Sequence, residues 1–287
     1  MPAVSFDRAA EYYDATRGYA EGSAERIRDA IVAYAAAGSS TRFLELGVAT
    51  GRIALPFIRA GYDYTGVDIS PAMMERLTSK LADDLGKAAY RFQLHEADVT
   101  ALPFEAAHFD VIIAVHVLHL VAEWQHAIQE ARRVLRSGGW LLCGSDETLG
   151  ESNAVADSRL PAPLRVRRTW WALRRELGLG EPAGRSNLRS RDAQLVEYLR
   201  SLGATVDTVV LAKYELPAIS ARAMADRIKA RVFSADWNTP ESAHAELVRR
   251  LDDWLAQSIE APDVPMPIGG EFMAITATWP GIKIRDP

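Results

Sequence analysis

Thr41-Arg-Phe-Leu-Glu-Leu-Gly-Val-Ala-Thr-Gly-Arg-Ile53 is the stretch that decides the fold. A short apolar run ends on an acid, Glu45, a turn of small residues extends from Gly47 to Gly51, and a helical pattern follows. Downstream, Tyr64-Thr-Gly-Val-Asp68 is a second apolar run that ends on an acid. Strand, small-residue turn, helix and strand-terminal acid make up the layout of a nucleoside-binding βαβ unit. The turn residues are small because the backbone must bend sharply and let a ligand come close. Asp68 stands where a carboxylate accepts hydrogen bonds from ribose hydroxyls.

The residues around the turn bear on which nucleoside is bound. A dinucleotide site sets a pyrophosphate on the helix N-terminus, where free N–H groups and the helix dipole favour anions. Glu45 at the mouth of the turn would repel a pyrophosphate and suit a cation. S-adenosylmethionine (SAM) has no phosphate and carries an ammonium and a sulfonium. The glycine spacing also departs from G-x-G-x-x-G, because Gly47 and Gly51 are separated by Val-Ala-Thr. Glu45-x-Gly47-x-Ala49-x-Gly51 instead resembles the first motif of the class I SAM-dependent methyltransferases, in its small-molecule branch. That family usually has glycine where Ala49 stands, so the extra methyl group tightens the pocket or demands a different turn.

Further stretches resemble the same family in the same order. Gly66-Val-Asp68-Ile-Ser-Pro71 looks like its ribose-binding second motif, and Ala97-Asp98-Val-Thr-Ala-Leu-Pro-Phe104 like the third, where the acid approaches the adenine amino group. Phe109-Asp-Val-Ile-Ile-Ala-Val-His-Val-Leu-His-Leu120 looks like the fourth strand and its edge of the active site. Arg133-Val-Leu-Arg-Ser-Gly-Gly-Trp-Leu-Leu142 resembles the helix end, turn and fifth strand. The likeness covers residues 1–146 well and the rest in outline. It implies a cofactor set in which Glu45, Gly47, Ala49 and Gly51 shape the methionine pocket and Asp68, with Ile69 and Met73 beside it, holds ribose. Asp98 and Val99 frame adenine, and Val115 lies where the fourth strand meets the methyl group. The segment Phe6-Asp-Arg-Ala-Ala-Glu-Tyr-Tyr-Asp-Ala-Thr-Arg-Gly-Tyr19 also resembles one that covers the cofactor in the family. Tyr13 and Arg17 match its aromatic and arginine; a partly exposed surface helix is the alternative.

Composition narrows the class. A chain of 287 residues with 48% hydrophobic content supports a sizeable core, and one α/β domain with insertions accommodates it. A net charge of −5 with both signs interspersed argues against a dedicated nucleic-acid binder. The single cysteine, Cys143, excludes an intramolecular disulfide and a cysteine-cluster metal site, and in its apolar strand it reads as buried and inert. The start, Met-Pro-Ala-Val-Ser-Phe-Asp-Arg, lacks the apolar core of a signal peptide. Val111 to Ala122 is too short to span a bilayer. A soluble cytoplasmic protein is expected.

Strand and helix patterns alternate from Arg42 to Asp146, which argues for a parallel sheet covered on both faces. Ser70-Pro71 reads as an N-cap and first helical residue ahead of a stripe of Met73, Met74, Leu77 and Leu81. Pro56 falls inside the first helical pattern and is expected to bend it. Ser137-Gly138-Gly139 stops a helix at Arg136. Residues 151–183 contain Pro161, Pro163, Gly178, Gly180 and Pro182 around one short helix. A helix near Asp192–Leu202 leads to a strand over Thr205–Lys213. Amphipathic helices follow over 218–233 and 240–260, the second opened by Thr239-Pro240, and a last strand covers Phe272–Trp279. The expected architecture is a Rossmann-like α/β fold: a doubly wound, seven-stranded, mostly parallel sheet with an added helical cap. It forms one domain over 1–287, with residues 1–146 as the SAM-binding half and 151–183 and 214–265 as cap insertions over the carboxyl ends of the strands.

Methyl transfer at a sulfonium is an in-line displacement with a neutral leaving group. The protein aligns the partners and excludes water, and an acceptor that carries a proton also needs a base. His119 stands where the family often has histidine, and His116 lies just before it; both are candidate catalytic residues, against a purely loop-structuring role. Two imidazoles alone do not make a usual zinc site, so no metal is expected. On a helix through Arg165-Val-Arg-Arg-Thr-Trp-Trp-Ala-Leu-Arg-Arg175, Val166, Trp170, Leu173 and Leu177 form an apolar stripe. Trp171 shares the other face with Arg167 and Arg174, either to hold an anionic or aromatic acceptor or as solvated surface. Leu247, Leu251, Trp254 and Leu255 read as packing residues.

The reading is a SAM-dependent methyltransferase that acts on a small-molecule acceptor, releases S-adenosylhomocysteine (SAH), and has neither a nucleic-acid nor a membrane partner. Two rivals stand beside it: a SAM-binding regulatory or scaffold protein without turnover, and an NAD(P)-dependent oxidoreductase. The acceptor and the oligomeric state are open at this stage.

Overall fold

Burial on both faces sets the first strand. In β1 (Arg42–Leu46), Phe43 and Glu45 face one side of the sheet while Leu44 and Leu46 face the other, and all four are buried. A computed structural model describes residues 13–82, 90–148, 159–179, 185–233 and 236–280, with side chains from 192 onward in the helix that begins at 185. Residues 6–12 of the amino-terminal segment, together with Gly180 and Pro182, lie outside the described residues. The chain divides into two units: 1–146 with 191–214 and 271–287, and 147–190 with 215–270. The segments 151–183 and 214–265 fall in the second unit apart from Tyr214.

The sheet has seven strands in the order β3-β2-β1-β4-β5-β7-β6. These are β2 (Asp63–Asp68), β3 (Phe92–Glu96), β4 (Phe109–Val115), β5 (Leu135–Thr148), β6 (Thr205–Ile219) and β7 (Met266–Thr278). β1 pairs in parallel with β2 and β4, β2 with β3, and β4 with β5. β7 runs the other way. The Gly138 N–H donates to the Trp279 carbonyl at 3.1 Å, while Gly144 packs against Phe272, so rising numbers on β5 meet falling numbers on β7. The strand order reverses between β1 and β4, which opens a crevice at their carboxyl ends.

Both faces of this sheet are covered. α5 (Trp124–Val134) and α7 (Arg185–Ser201) bring Ala127, Ile128, Ala131, Leu195 and Leu199 into one core with Leu44, Leu46, Ile112, Leu141 and Ile275. On the other face α2 (Ser23–Tyr34) buries Ile27 and Ile31, and α3 (Ala54–Arg59) buries Phe57 and Ile58. Phe43, Phe57, Tyr62 and Tyr64 form an aromatic cluster there, with Phe43 and Phe57 centroids 4.9 Å apart. α4 (Pro71–Ala82) starts as its sequence predicts: the Ser70 hydroxyl accepts the Met73 N–H at 3.2 Å, and Met73, Leu77 and Leu81 are buried. A short helix, α1 (Tyr13–Arg17), precedes α2.

The second unit has its own core. α6 (Ala162–Glu176), α8 (Ala221–Lys229) and α9 (Glu241–Ser258) bury Leu164, Val166, Trp170, Met224, Ile228, Leu247, Leu251 and Leu255 together, with Trp254 packed against them. The Ser220 hydroxyl caps α8 by accepting the Ala223 N–H at 3.1 Å.

Several local expectations are corrected. Pro56 does not bend a helix: α3 starts at Ala54, so Pro56 lies in the first turn, where its missing N–H has no helical acceptor to lose. The helix before β5 ends at Val134 rather than Arg136, because Leu135 already pairs with Phe109 and the Ser137–Gly139 turn sits in a register shift of the β4–β5 ladder. α6 is 15 residues long, not short, since Pro161 and Pro163 fall at its start where proline is tolerated. Leu177 is 37% exposed, just past the end of α6, and leaves the stripe. Arg174 is not solvated: it is buried, and its Nη1 donates to Asp236 Oδ1 at 3.0 Å and to Thr239 Oγ1 at 2.7 Å.

Candidate cofactor and active site

The turn after β1 alternates in and out of the left-handed region. Gly47, Ala49 and Gly51 have φ of 72°, 47° and 83°. Glycine adopts this conformation freely, whereas an L-residue loses about 1–2 kcal/mol there. A side chain at Gly51 would lie 2.3 Å from Leu77 Cδ1, and one at Gly47 would lie 2.8 Å from Val117 Cγ2. Ala49 adopts the left-handed conformation despite its methyl group, which is the physical reason the related motif prefers glycine. One compensating bond is direct: the Ala49 N–H donates to Asp68 Oδ2 at 2.9 Å. The other Asp68 oxygen accepts the Ser70 N–H at 2.9 Å. Asp68 is half-buried at the end of β2, where a carboxylate can meet a ribose hydroxyl. Gly66 has a packing reason of its own, because a side chain there would lie 2.7 Å from Val48 Cγ2.

Glu45 lies beneath this turn. It is 3% exposed and accepts a hydrogen bond from the Tyr64 hydroxyl at 2.9 Å. Burial pushes its carboxyl up to about 8, although the Tyr64 bond and nearby Arg52 act the other way. The negative charge facing a ligand at neutral pH therefore comes from Asp68, with Glu45 largely neutral.

Asp98 and Val99 follow β3, beyond β2 from the turn. Asp98 is exposed, and its Oδ1 accepts the Thr100 N–H and hydroxyl at 2.9 and 2.7 Å, while Val99 is buried. Ile69 is half-buried beside Asp68, and Met73 is buried in the first turn of α4.

The carboxyl end of β4 carries the histidines. Val115 is the last residue of the strand, and His116 follows with φ 52°, a left-handed conformation held as its N–H reaches the Gly144 carbonyl at 3.3 Å. His119 sits in a 3-10 turn, Leu118–Leu120, with the two imidazole centroids 6.4 Å apart. His116 Nε2 lies 3.1 Å from Asp146 Oδ2. Asp146 is also bound by Arg52 Nη1 at 2.7 Å and by the Tyr19 hydroxyl at 2.6 Å. Burial alone would raise the Asp146 carboxyl, but the Arg52 charge and the His116 and Tyr19 bonds hold it well below the usual carboxylate range.

The amino-terminal helix joins the same region. Arg52 Nη1 donates to the Arg17 carbonyl at 3.3 Å, and its guanidinium lies 4.7 Å from the Tyr19 ring centroid. Tyr13 is close enough for its hydroxyl to influence Arg52 electrostatically. Asp14 anchors the helix to the turn through the Thr50 hydroxyl and Lys80 Nζ, both at 2.6 Å. The structure thus brings Tyr13, Arg17, Glu45, Ala49, Asp68 and His116 around one turn, with Asp98 and Val99 two strands away from β1. Sequence reasoning passed over Tyr19, Arg52 and Asp146. Asp146 had a signal, since it is an acid late in a core strand, like Glu45 and Asp68.

The donor set fits a nucleoside without phosphate. Asp68 presents a carboxylate where ribose hydroxyls bind, Asp98 keeps an oxygen for an amino group, and the cations beside the turn are engaged within the protein, Arg52 with Asp146 and Lys80 with Asp14 and the Thr50 carbonyl. Among the described residues, no cluster of histidine, cysteine and carboxylate side chains could hold a metal ion, and no helix is long and apolar enough to cross a membrane.

A parallel nucleoside-binding sheet with an antiparallel β7 and an acid after β2 defines the class of the first unit. Residues 44–143 match the family described as a methyltransferase domain. A stretch of 105 residues, 35% of the chain, is 34% identical to fusarielin synthase FSL1 of Gibberella zeae and spans 4% of that protein. A stretch of 136 residues, 46% of the chain, is 30% identical to 27-O-demethylrifamycin SV methyltransferase of Amycolatopsis mediterranei and spans 48% of it. The chain thus spans about half the length of that methyltransferase and a small fraction of the synthase. The fold is similar to phosphoethanolamine N-methyltransferase 2 of Haemonchus contortus, solved with phosphomonomethylethanolamine and SAH. There the TM-score is 0.53 at 16% identity, covering 96% of this chain and 58% of that one.

Proposed function

We propose that this protein transfers a methyl group from SAM to a small-molecule acceptor. The observation that carries the reading is the Asp68 carboxylate, half-exposed at the end of β2 and tied to the left-handed turn through the Ala49 N–H. A phosphate would meet this carboxylate; ribose hydroxyls complement it. The relative from Amycolatopsis, 27-O-demethylrifamycin SV methyltransferase, is named for a small-molecule acceptor, which supports an acceptor of that size class.

When bound, SAM supplies an electrophilic methyl group and a neutral thioether leaving group. The chain's own residues do the rest. Asp68 holds the ribose hydroxyls, Asp98 and Val99 frame the adenine, and the Gly47–Gly51 turn, with Tyr13 and Arg17, surrounds the methionine end. His116 and His119, at the carboxyl end of β4, are the side chains available to take a proton from an acceptor hydroxyl or amine.

Calorimetric titration with SAM, SAH and NADH tests the cofactor assignment. Asp68→Asn is the informative variant, because asparagine keeps one oxygen for the Ala49 N–H while losing the charge and the acceptor of the Ser70 N–H. Binding of both adenosyl ligands, weakened about tenfold or more in Asp68→Asn, is the expected result. Binding of NADH alone would overturn the reading.

A further inference from the structure

We propose that Asp146 is a positioning residue that fixes the imidazole of His116 with its proton on Nε2, making Nδ1 of His116 the atom that accepts the proton from the methyl acceptor. The inference rests on the methyltransferase reading and selects between the two candidate histidines.

The geometry is that of a buried anion with one movable partner. Asp146 keeps 13% of its side-chain surface, and its oxygens receive Arg52 Nη1 at 2.7 Å and the Tyr19 hydroxyl at 2.6 Å. The third partner is His116 Nε2, 3.1 Å from Oδ2. The Asp146 backbone N–H also lies 3.2 Å from the same nitrogen, so two tautomers compete. An unprotonated Nε2 would gain that single neutral bond but set its lone pair against the lone pairs of a carboxylate. A protonated Nε2 gains a charge-assisted bond to Oδ2, the stronger interaction. Asp146 therefore leaves Nδ1 with the lone pair. Arg52 completes the arrangement by holding Asp146 ionised, so a proton taken by His116 stays on the imidazole and leaves to solvent.

The placement suits a base. His116 follows β4 directly, at the crevice where the strand order reverses, and 31% of its side chain is exposed. The neighbouring turn is close, because Val117 packs over Gly47. The left-handed backbone at His116, φ 52°, costs a non-glycine residue energy. Here that strained conformation aims the ring at Asp146. The step balances: the acceptor lone pair forms a bond to the methyl carbon, the carbon–sulfur bond breaks with its electron pair going to sulfur, and the acceptor proton passes to His116 Nδ1.

Nitrogen-15 NMR of the histidine rings tests the assignment directly. In the wild-type protein the His116 ring is expected to carry its proton on Nε2. In Asp146→Ala the carboxylate is gone and the backbone N–H of residue 146 still faces Nε2, which moves the proton to Nδ1. With any acceptor turned over from a panel of phenols and amines using methyl-labelled SAM, Asp146→Ala lowers kcat by about 10²–10⁴-fold, and His119→Gln by far less. A wild-type His116 protonated on Nδ1 would overturn the proposal without any variant. So would an Asp146→Ala protein whose tautomer and kcat match wild type. Absence of SAM binding by the wild-type protein would sink the methyltransferase reading and this inference together, whereas SAM binding with the wrong tautomer sinks this inference alone.

Discussion

Glu45 predicts an unusual loss of stability toward alkaline pH. Its carboxyl ionises at about 8 in the fold, against an ordinary value of 4.5, because burial penalises the charge. An acid with a raised folded pKa binds more protons folded than unfolded, so stability falls as pH rises between these two values. Full expression of the shift is worth about 5 kcal/mol, of which about 3.5 kcal/mol falls between about pH 5 and pH 8. Glu45→Gln removes the titration but keeps a carbonyl to accept the Tyr64 hydroxyl. The buried amide N–H₂ adds a pH-independent cost of about 1–3 kcal/mol. Urea denaturation of both proteins across this range measures the difference. The variant is expected to be the less stable at about pH 5 and to overtake wild type by about pH 8. Titrations shared by both proteins cancel in the comparison, and Asp146 is silent there: its depressed folded value makes its contribution complete above the unfolded 3.8 and lost only in acid. Parallel stability curves for the two proteins would refute the claim that Glu45 is buried as the neutral acid.

Other predictions follow from particular contacts. Ala49→Gly relieves a left-handed alanine worth about 1–2 kcal/mol and gives back about 0.4–1 kcal/mol of unfolded-chain entropy, so a higher urea midpoint is expected. Arg174→Met leaves Asp236 buried without its guanidinium partner and is expected to cost about 3–5 kcal/mol in urea unfolding; a double change of Arg174 and Asp236 to apolar residues should recover much of it. Cys143 is buried with its thiol pushed up to about 12, so a thiol reagent at neutral pH should label it only after denaturation; rapid labelling of the native protein would contradict its burial.

The amino-acid sequence by itself determined the nucleoside-binding half of this protein. Small residues at Gly47 and Gly51, acids at the ends of β1 and β2 and the Ser70 cap are local requirements of backbone geometry, so they are legible from a single stretch of chain. Only the tertiary structure decided the electrostatics. Glu45 reads as an exposed carboxylate in sequence, and it becomes a largely neutral acid because Tyr64 and the aromatic cluster close over it. Arg174 reads as a solvated surface arginine and becomes half of a buried ion pair because Asp236, far along the chain, meets it. Tyr19, Arg52 and His116 lie in three separate loops and Asp146 in β5, and no spacing rule joins them. Protonation states and buried charges depend on the sum of long-range neighbours and lost solvent, which a chain acquires only when it folds.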